Sequence, residues 1–236
     1  TGAQIAGVSP ISTGVGSVSS PSGLAKIIAQ VVNPGSDDRV EAVYGGDLLG
    51  NVWRFDVNNT VGATGYDAQL LATLKDGDGN SQPVTTKPEV GLIQDYKVVF
   101  VGTGRYLAGS DASDDSQQTL YAIKDPRAAD TIPATAIFDN PGGSPRVAGT
   151  SAAGFVGQVQ TETTCDTSVI TSGICTAGQV VRTSTNHPVN FLSDNGWYVD
   201  LVGDSERVNV DPALGLGLLV FNTNAPSLLA CDIGRQ

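Results

Sequence analysis

The feature that most constrains this sequence is a strand-turn-strand unit that recurs. Its first copy is Val40-Glu41-Ala42-Val43-Tyr44-Gly45-Gly46-Asp47-Leu48-Leu49-Gly50-Asn51-Val52-Trp53-Arg54-Phe55-Asp56. A second runs Lys97-Val98-Val99-Phe100-Val101-Gly102-Thr103-Gly104 and, after an inserted turn, Thr119-Leu120-Tyr121-Ala122-Ile123-Lys124-Asp125. A third carries the aromatic strand first, as Gly196-Trp197-Tyr198-Val199-Asp200-Leu201, followed by Leu218-Leu219-Val220-Phe221-Asn222-Thr223. Apolar strand, glycine-rich turn and aromatic-apolar-Asp strand form the pattern of propeller blades, whose sheets bury both faces against their neighbours. Glycine is needed where inner strands crowd together.

The rest of the chain agrees with an all-β fold. Short runs rich in Val, Tyr, Phe and Thr, such as Gln179 to Thr183, alternate with Gly, Asp, Asn and Ser clusters. The best helical candidate, Leu24 to Val32, reads equally well as a buried strand stopped by Asn33-Pro34-Gly35. Residues 1–23 read as an irregular lead-in, and 126–154 and 161–178 as loop excursions. No apolar run reaches the ~18 residues of a membrane span. A net charge of −11 with no basic stripe argues against a nucleic-acid partner.

Gly46 to Asp56 resembles the signature of the PilC/PilY family of type IV pilus assembly proteins and tip adhesins. Further segments resemble that family in order: Gln82-Pro83-Val84-Thr85-Thr86-Lys87-Pro88-Glu89-Val90, then Val99-Phe100-Val101-Gly102-Thr103-Gly104-Arg105-Tyr106-Leu107, then Gln118 to Asp125. Gly196 to Leu201, Glu206 to Pro212 and Thr223 to Cys231 continue the series. The resemblance implies part of a β-propeller, about four blades at the length of long propeller repeats. Thr1-Gly2 reads as a turn inside a blade, and Cys231 to Gln236 as a strand left unfinished, so the chain is expected to be a piece of a larger ring.

The resemblance also directs attention to calcium, through an Asp-rich loop before the Val43-Tyr44 strand. Asn33, Asp37 and Glu41 would offer side-chain oxygens and Arg39 its carbonyl. Gly35 stands where a ligand is needed and Asp38 replaces the turn glycine, so a polar turn between two strands is the favoured reading. Asp76-Gly77-Asp78-Gly79-Asn80 lacks the glycine and Glu of a calcium loop and reads as a turn. Asp111, Asp114 and Asp115 read as a solvated loop tip. In an exported protein, Cys165 and Cys175 are expected to form a local disulfide, with Cys231 free or paired outside this chain. Zinc is disfavoured because that spacing matches no ligand pair and His187 is remote.

One histidine and no phosphate-cradling loop leave little material for catalysis. Trp53 and Trp197 read as packing residues, and Asp47, Asp56 and Asp200 as turn-fixing Asx residues. Arg54, Arg105 and Arg207 read as structural partners of loop carbonyls or aspartates. The expectation is a non-enzymatic pilus biogenesis factor and tip adhesin, exported through the periplasm of a Gram-negative-type bacterium to the cell surface. Its implied partners are minor pilins of the pilus tip, a host or abiotic surface, and the remainder of the same propeller. The alternatives are a quinone-dependent dehydrogenase-like propeller and a calcium-stabilised extracellular scaffold.

Overall fold

The computed structural model describes residues 9–33, 35–58, 66–126, 137–150, 154–165 and 175–227. Its strands in chain order are β1 (Ile27–Asn33), β2 (Asp37–Gly46), β3 (Asn51–Phe55), β4 (Ala68–Thr73) and β5 (Glu89–Ile93). β6 (Tyr96–Gly102), β7 (Thr119–Lys124), β8 (Phe138–Asp139), β9 (Gly149–Thr150) and β10 (Phe155–Gln158) follow. Then come β11 (Gln160–Thr164), β12 (Val180–Ser184), β13 (Gly196–Asp200), β14 (Ala213–Gly215) and β15 (Leu218–Val220). A 3-10 turn at Gly109–Ser113 sits in the insertion between β6 and β7.

One sheet has five strands in the order β1-β2-β3-β4-β8, and a second has six in the order β5-β6-β7-β13-β10-β9. β11–β12 and β14–β15 form separate two-stranded ribbons. Among the described residues no sheet closes on itself, and the all-β expectation stands. The two large sheets share one core. Ala42, Tyr44, Val52 and Leu71 from the first meet Val99, Val101, Tyr121, Ile123 and Tyr198 from the second. Phe138 and Phe155 join them edge to face, with centroids 5.1 Å apart. The opposite side of the six-stranded sheet is covered by Leu214, Leu219 and Phe221 packed on Val98, Phe100 and Trp197. β7 is buried along its whole length because Tyr121 and Ile123 face the shared core while Leu120 and Ala122 pack in clusters on the other side, and β3 is likewise buried throughout.

The repeat is visible as a shared device. β2 ends at Gly46 and β6 at Gly102, and a Cβ on either would overlap a valine, Val84 or Val208 respectively. Each valine donates its N–H to the carbonyl that follows the glycine, Val84 to Asp47 and Val208 to Thr103, both at 2.9 Å. A side chain on the glycine would push that inserted segment out.

Three expectations change. β1 is an edge strand and not a buried one: among the described residues it pairs only with β2, and Ile27 is 52% exposed while Ile28 packs on the core. The halves of the third repeat do not pair. β13 lies between β7 and β10, whereas β15 pairs with β14. The two loop excursions, as far as they are described, supply strands: 126–154 gives β8 and β9 as edge strands of the two sheets, and 161–178 gives most of β11. Thr1 to Val8 and Cys231 lie outside the described residues.

Candidate functional site

The Gly46 to Asp56 motif folds as a tight turn built on one carboxylate. Asp47 Oδ1 accepts from the Leu49 and Asn51 backbone N–H groups at 2.9 and 3.0 Å. Its Oδ2 accepts from Asn51 Nδ2 and Trp53 Nε1, both at 2.9 Å. Asp76 repeats the arrangement with Asp78, Asn80 N and Asn80 Nδ2. In both turns a glycine at positive φ, Gly50 or Gly79, precedes the asparagine. Burial opposes ionisation of Asp76, but these donors outweigh it and lower its pKa. Asp56 fixes a turn as expected, accepting from Asn58 N at 3.2 Å.

Asp200 acts across strands and fixes no turn of its own. It accepts from Thr119 Oγ1 at 2.6 Å and from Arg146 Nε at 3.2 Å. Arg146 joins the two large sheets. Its Nη2 donates to Lys75 O and Tyr121 OH, both at 2.8 Å, and its guanidinium lies 4.8 Å from the Tyr198 ring centroid. Tyr121 OH donates in turn to Gln82 Oε1 at 2.7 Å. Burial pushes the Tyr121 hydroxyl pKa far up, so it stays a neutral donor. Beside this seam lies a cleft of about 390 Å³ lined by Gln117, Arg146, Gln158, Gln160, Tyr198 and Asp200. No local pattern marks Arg146, which sits in a stretch read as loop and meets Lys75, Tyr121 and Asp200 far along the chain.

The cysteines pair as expected: Cys165 and Cys175 are bonded, with Cα atoms 6.3 Å apart. The disulfide closes the outer end of the β11–β12 ribbon, whose strands are mostly exposed. Arg182 ties the ribbon to the body. It donates to Glu162 Oε1 at 2.7 Å and to buried Glu206 Oε1 at 2.5 Å. Glu206 also accepts from Thr223 Oγ1 and from Gly203 N.

The insertion between β6 and β7 is held by buried groups, which corrects the reading of Asp111 as a solvated tip. Asp111 accepts from Leu107 N and Ala108 N at 2.8 and 3.0 Å and pairs with Arg105 at 3.0 Å. Those backbone donors, with Arg105, lower its pKa. Arg207 donates to the carbonyls of Arg105 and Asp111 at 2.9 and 2.6 Å, and to that of Asp114. Arg54 is buried and pairs with Asp125 at 3.4 Å, where Tyr44 OH also donates at 2.7 Å. The arginines of the motifs therefore serve loops and aspartates.

For the calcium candidates, Asn33 and Asp37 face each other across the β1–β2 hairpin, the Asn33 side chain lying outside the described residues. Arg39 grips Asp37 through Nε and Nη2, the shortest bond being 2.6 Å, and lowers its pKa. Glu41 pairs with Lys97 at 2.5 Å. Among the described residues no three His, Cys, Asp or Glu side chains are grouped to hold a metal. What these elements offer is surface: a disulfide-clipped ribbon, a braced insertion and a polar cleft on a rigid stack of sheets.

Comparison with known proteins places this architecture. The family model described as the PilY1 beta-propeller domain matches residues 12–144, more than half of the chain. The type IV pilus biogenesis factor PilY1 homolog of Xylella fastidiosa is 30% identical over 221 residues, covering 84% of this chain and 12% of that protein. PilY1 of Pseudomonas aeruginosa strain PAK is 27% identical over 211 residues, covering 77% of this chain and 16% of that protein. The crystal structure of the Pseudomonas aeruginosa PilY1 C-terminal domain matches with a TM-score of 0.65 at 23% identity, covering 90% of this chain and 46% of that one. The chain thus spans less than a fifth of the length of these curated relatives.

Proposed function

Because the chain belongs to the PilY1 family of type IV pilus biogenesis factors, we propose that it is part of a non-enzymatic β-propeller serving as a rigid platform at a pilus tip. The observation that carries this reading is the family match over residues 12–144, which takes in the first copy of the glycine–valine device whole and Gly102 of the second. The propeller itself is supported by the family's description and by the shared device in two successive sheets. The proposed partners are minor pilins, the remaining blades of the same protein, and a host or abiotic surface. The proposed location is extracellular, at the cell surface, reached through the periplasm.

The physical case for a platform is the density of fixed groups. Asp47, Asp76, Asp111 and Glu206 each brace a loop through several donors at once, so the loops present defined surfaces at little further ordering cost. Deletion of the gene tests the proposal: loss of surface pili and twitching, restored by the intact gene, is expected. Unchanged piliation and motility would overturn it.

A further inference from the structure

The six-stranded sheet comes apart at one end. β10 and β13 run parallel and in register as far as the Gln158–Val199 pair. Beyond it the chain from β10 leaves for the β11–β12 ribbon, a separate sheet, while β13 carries on through Asp200. The polar cleft of about 390 Å³ sits at this parting, lined by Gln158 and Gln160 on one side and Tyr198 and Asp200 on the other. That volume lies at the small end of ligand pockets.

The charges of the lining are already satisfied. Arg146 and Asp200 pair with each other at 3.2 Å. The remaining Arg146 donors go to Lys75 O, Tyr121 OH, Asn140 Oδ1 and Gly143 O, so an anion finds little to hold it. Acceptors are what is left over. Gln160 Oε1 is buried and meets no donor among the described residues. Gln117 gives its amide hydrogens to Gln118 O and Leu201 O at 2.8 and 2.7 Å, and its Oε1 has no partner among the described residues. One Asp200 oxygen accepts from Thr119 Oγ1 and the other from Arg146 Nε, where an ionised carboxylate has room for about four donors. Val147, Val159 and Val202 add exposed aliphatic walls to the same cleft.

We propose that this cleft binds a neutral saccharide unit, whose hydroxyls donate to Gln160 Oε1, Gln117 Oε1 and Asp200 while its C–H face packs on the valines. A buried acceptor without a donor carries a desolvation cost that a ligand hydroxyl removes. A sugar ring is uncharged, rich in donors and apolar on its C–H face, which suits amide and carboxylate acceptors set beside aliphatic walls. A metal cation is poorly served, because the carboxylate of the lining is already paired with Arg146. The inference deepens the adhesin reading by naming a surface chemistry, and rests on it only for where the saccharide is met. Sugar binding and piliation are measured separately, so each can fail alone.

Saturation-transfer NMR on the purified full-length protein tests the proposal, with glucose, galactose, N-acetylglucosamine and lactose as probes at millimolar concentration. At least one of these neutral probes is expected to bind. Gln160→Leu, which keeps the bulk of the side chain and removes the acceptor, should weaken that binding about tenfold. Val159→Ala, a change on an exposed wall, should weaken it about threefold. Neither substitution should alter the melting temperature, which separates loss of the site from loss of the fold. Absence of binding by every probe, or binding that neither substitution weakens, would overturn the proposal. Binding of glucuronate about tenfold tighter than glucose would mark an anion site and overturn it as well.

Discussion

Asp47 shows how much one carboxylate organises. Asp47→Ala would leave two backbone N–H groups, the Asn51 amide and the Trp53 indole without their acceptor. A loss of about 3 kcal/mol or more is expected, read from urea unfolding. Asp111 allows a pH test. Its folded-state pKa lies below 3.8, so its stabilisation is complete above that value and is lost as pH falls through the lowered one. Asp111→Asn should therefore cost about 1–2 kcal/mol at pH 7, and the gap to the unaltered protein should close as pH falls through the lowered pKa. Asp47 was legible in the sequence because its donors lie within six residues. Asp200 was marked by the repeat but read as a turn residue, and Arg146 was not marked at all, because their bonds cross between strands distant in the chain.

At the scale of elements, the β11–β12 ribbon depends on its staples. An isolated two-stranded ribbon is marginal in water, and this one is held by the Cys165–Cys175 disulfide and by Arg182 on Glu206. For a ten-residue separation the disulfide contributes about 2–3 kcal/mol. Reduction should speed hydrogen exchange in 160–164 and 180–184 and leave β6 and β7 unchanged; equal loss in all four would contradict this division. The cysteine pairing was legible from loop chemistry and the expected oxidising compartment. The strand character of 160–164 was hidden, because a Thr-rich segment exposed on both faces shows no alternation of apolar and polar residues. β8 and β9 were hidden for another reason: two-residue edge strands carry no periodicity at all.

At the scale of the whole molecule, the two large sheets are variants of one unit joined by one core. Gly46→Ala and Gly102→Ala should each destabilise by about 1–3 kcal/mol, since either Cβ displaces an inserted valine. The repeat was legible because glycine, aromatic and aspartate recur in order. Its third copy misled, because similarity of strands does not say which strands pair. Calcium is a whole-molecule test too. With Asp37 held by Arg39 and Glu41 by Lys97, the melting temperature should be the same with calcium and with chelator.

On this reading the chain is part of a platform carried on pili. The most direct measurement is immunogold labelling of the full-length protein on piliated cells and sheared filaments. Gold at filament ends, absent from a deletion strain, is the predicted result. Labelling confined to the cell body, with sheared filaments free of the protein, would contradict it.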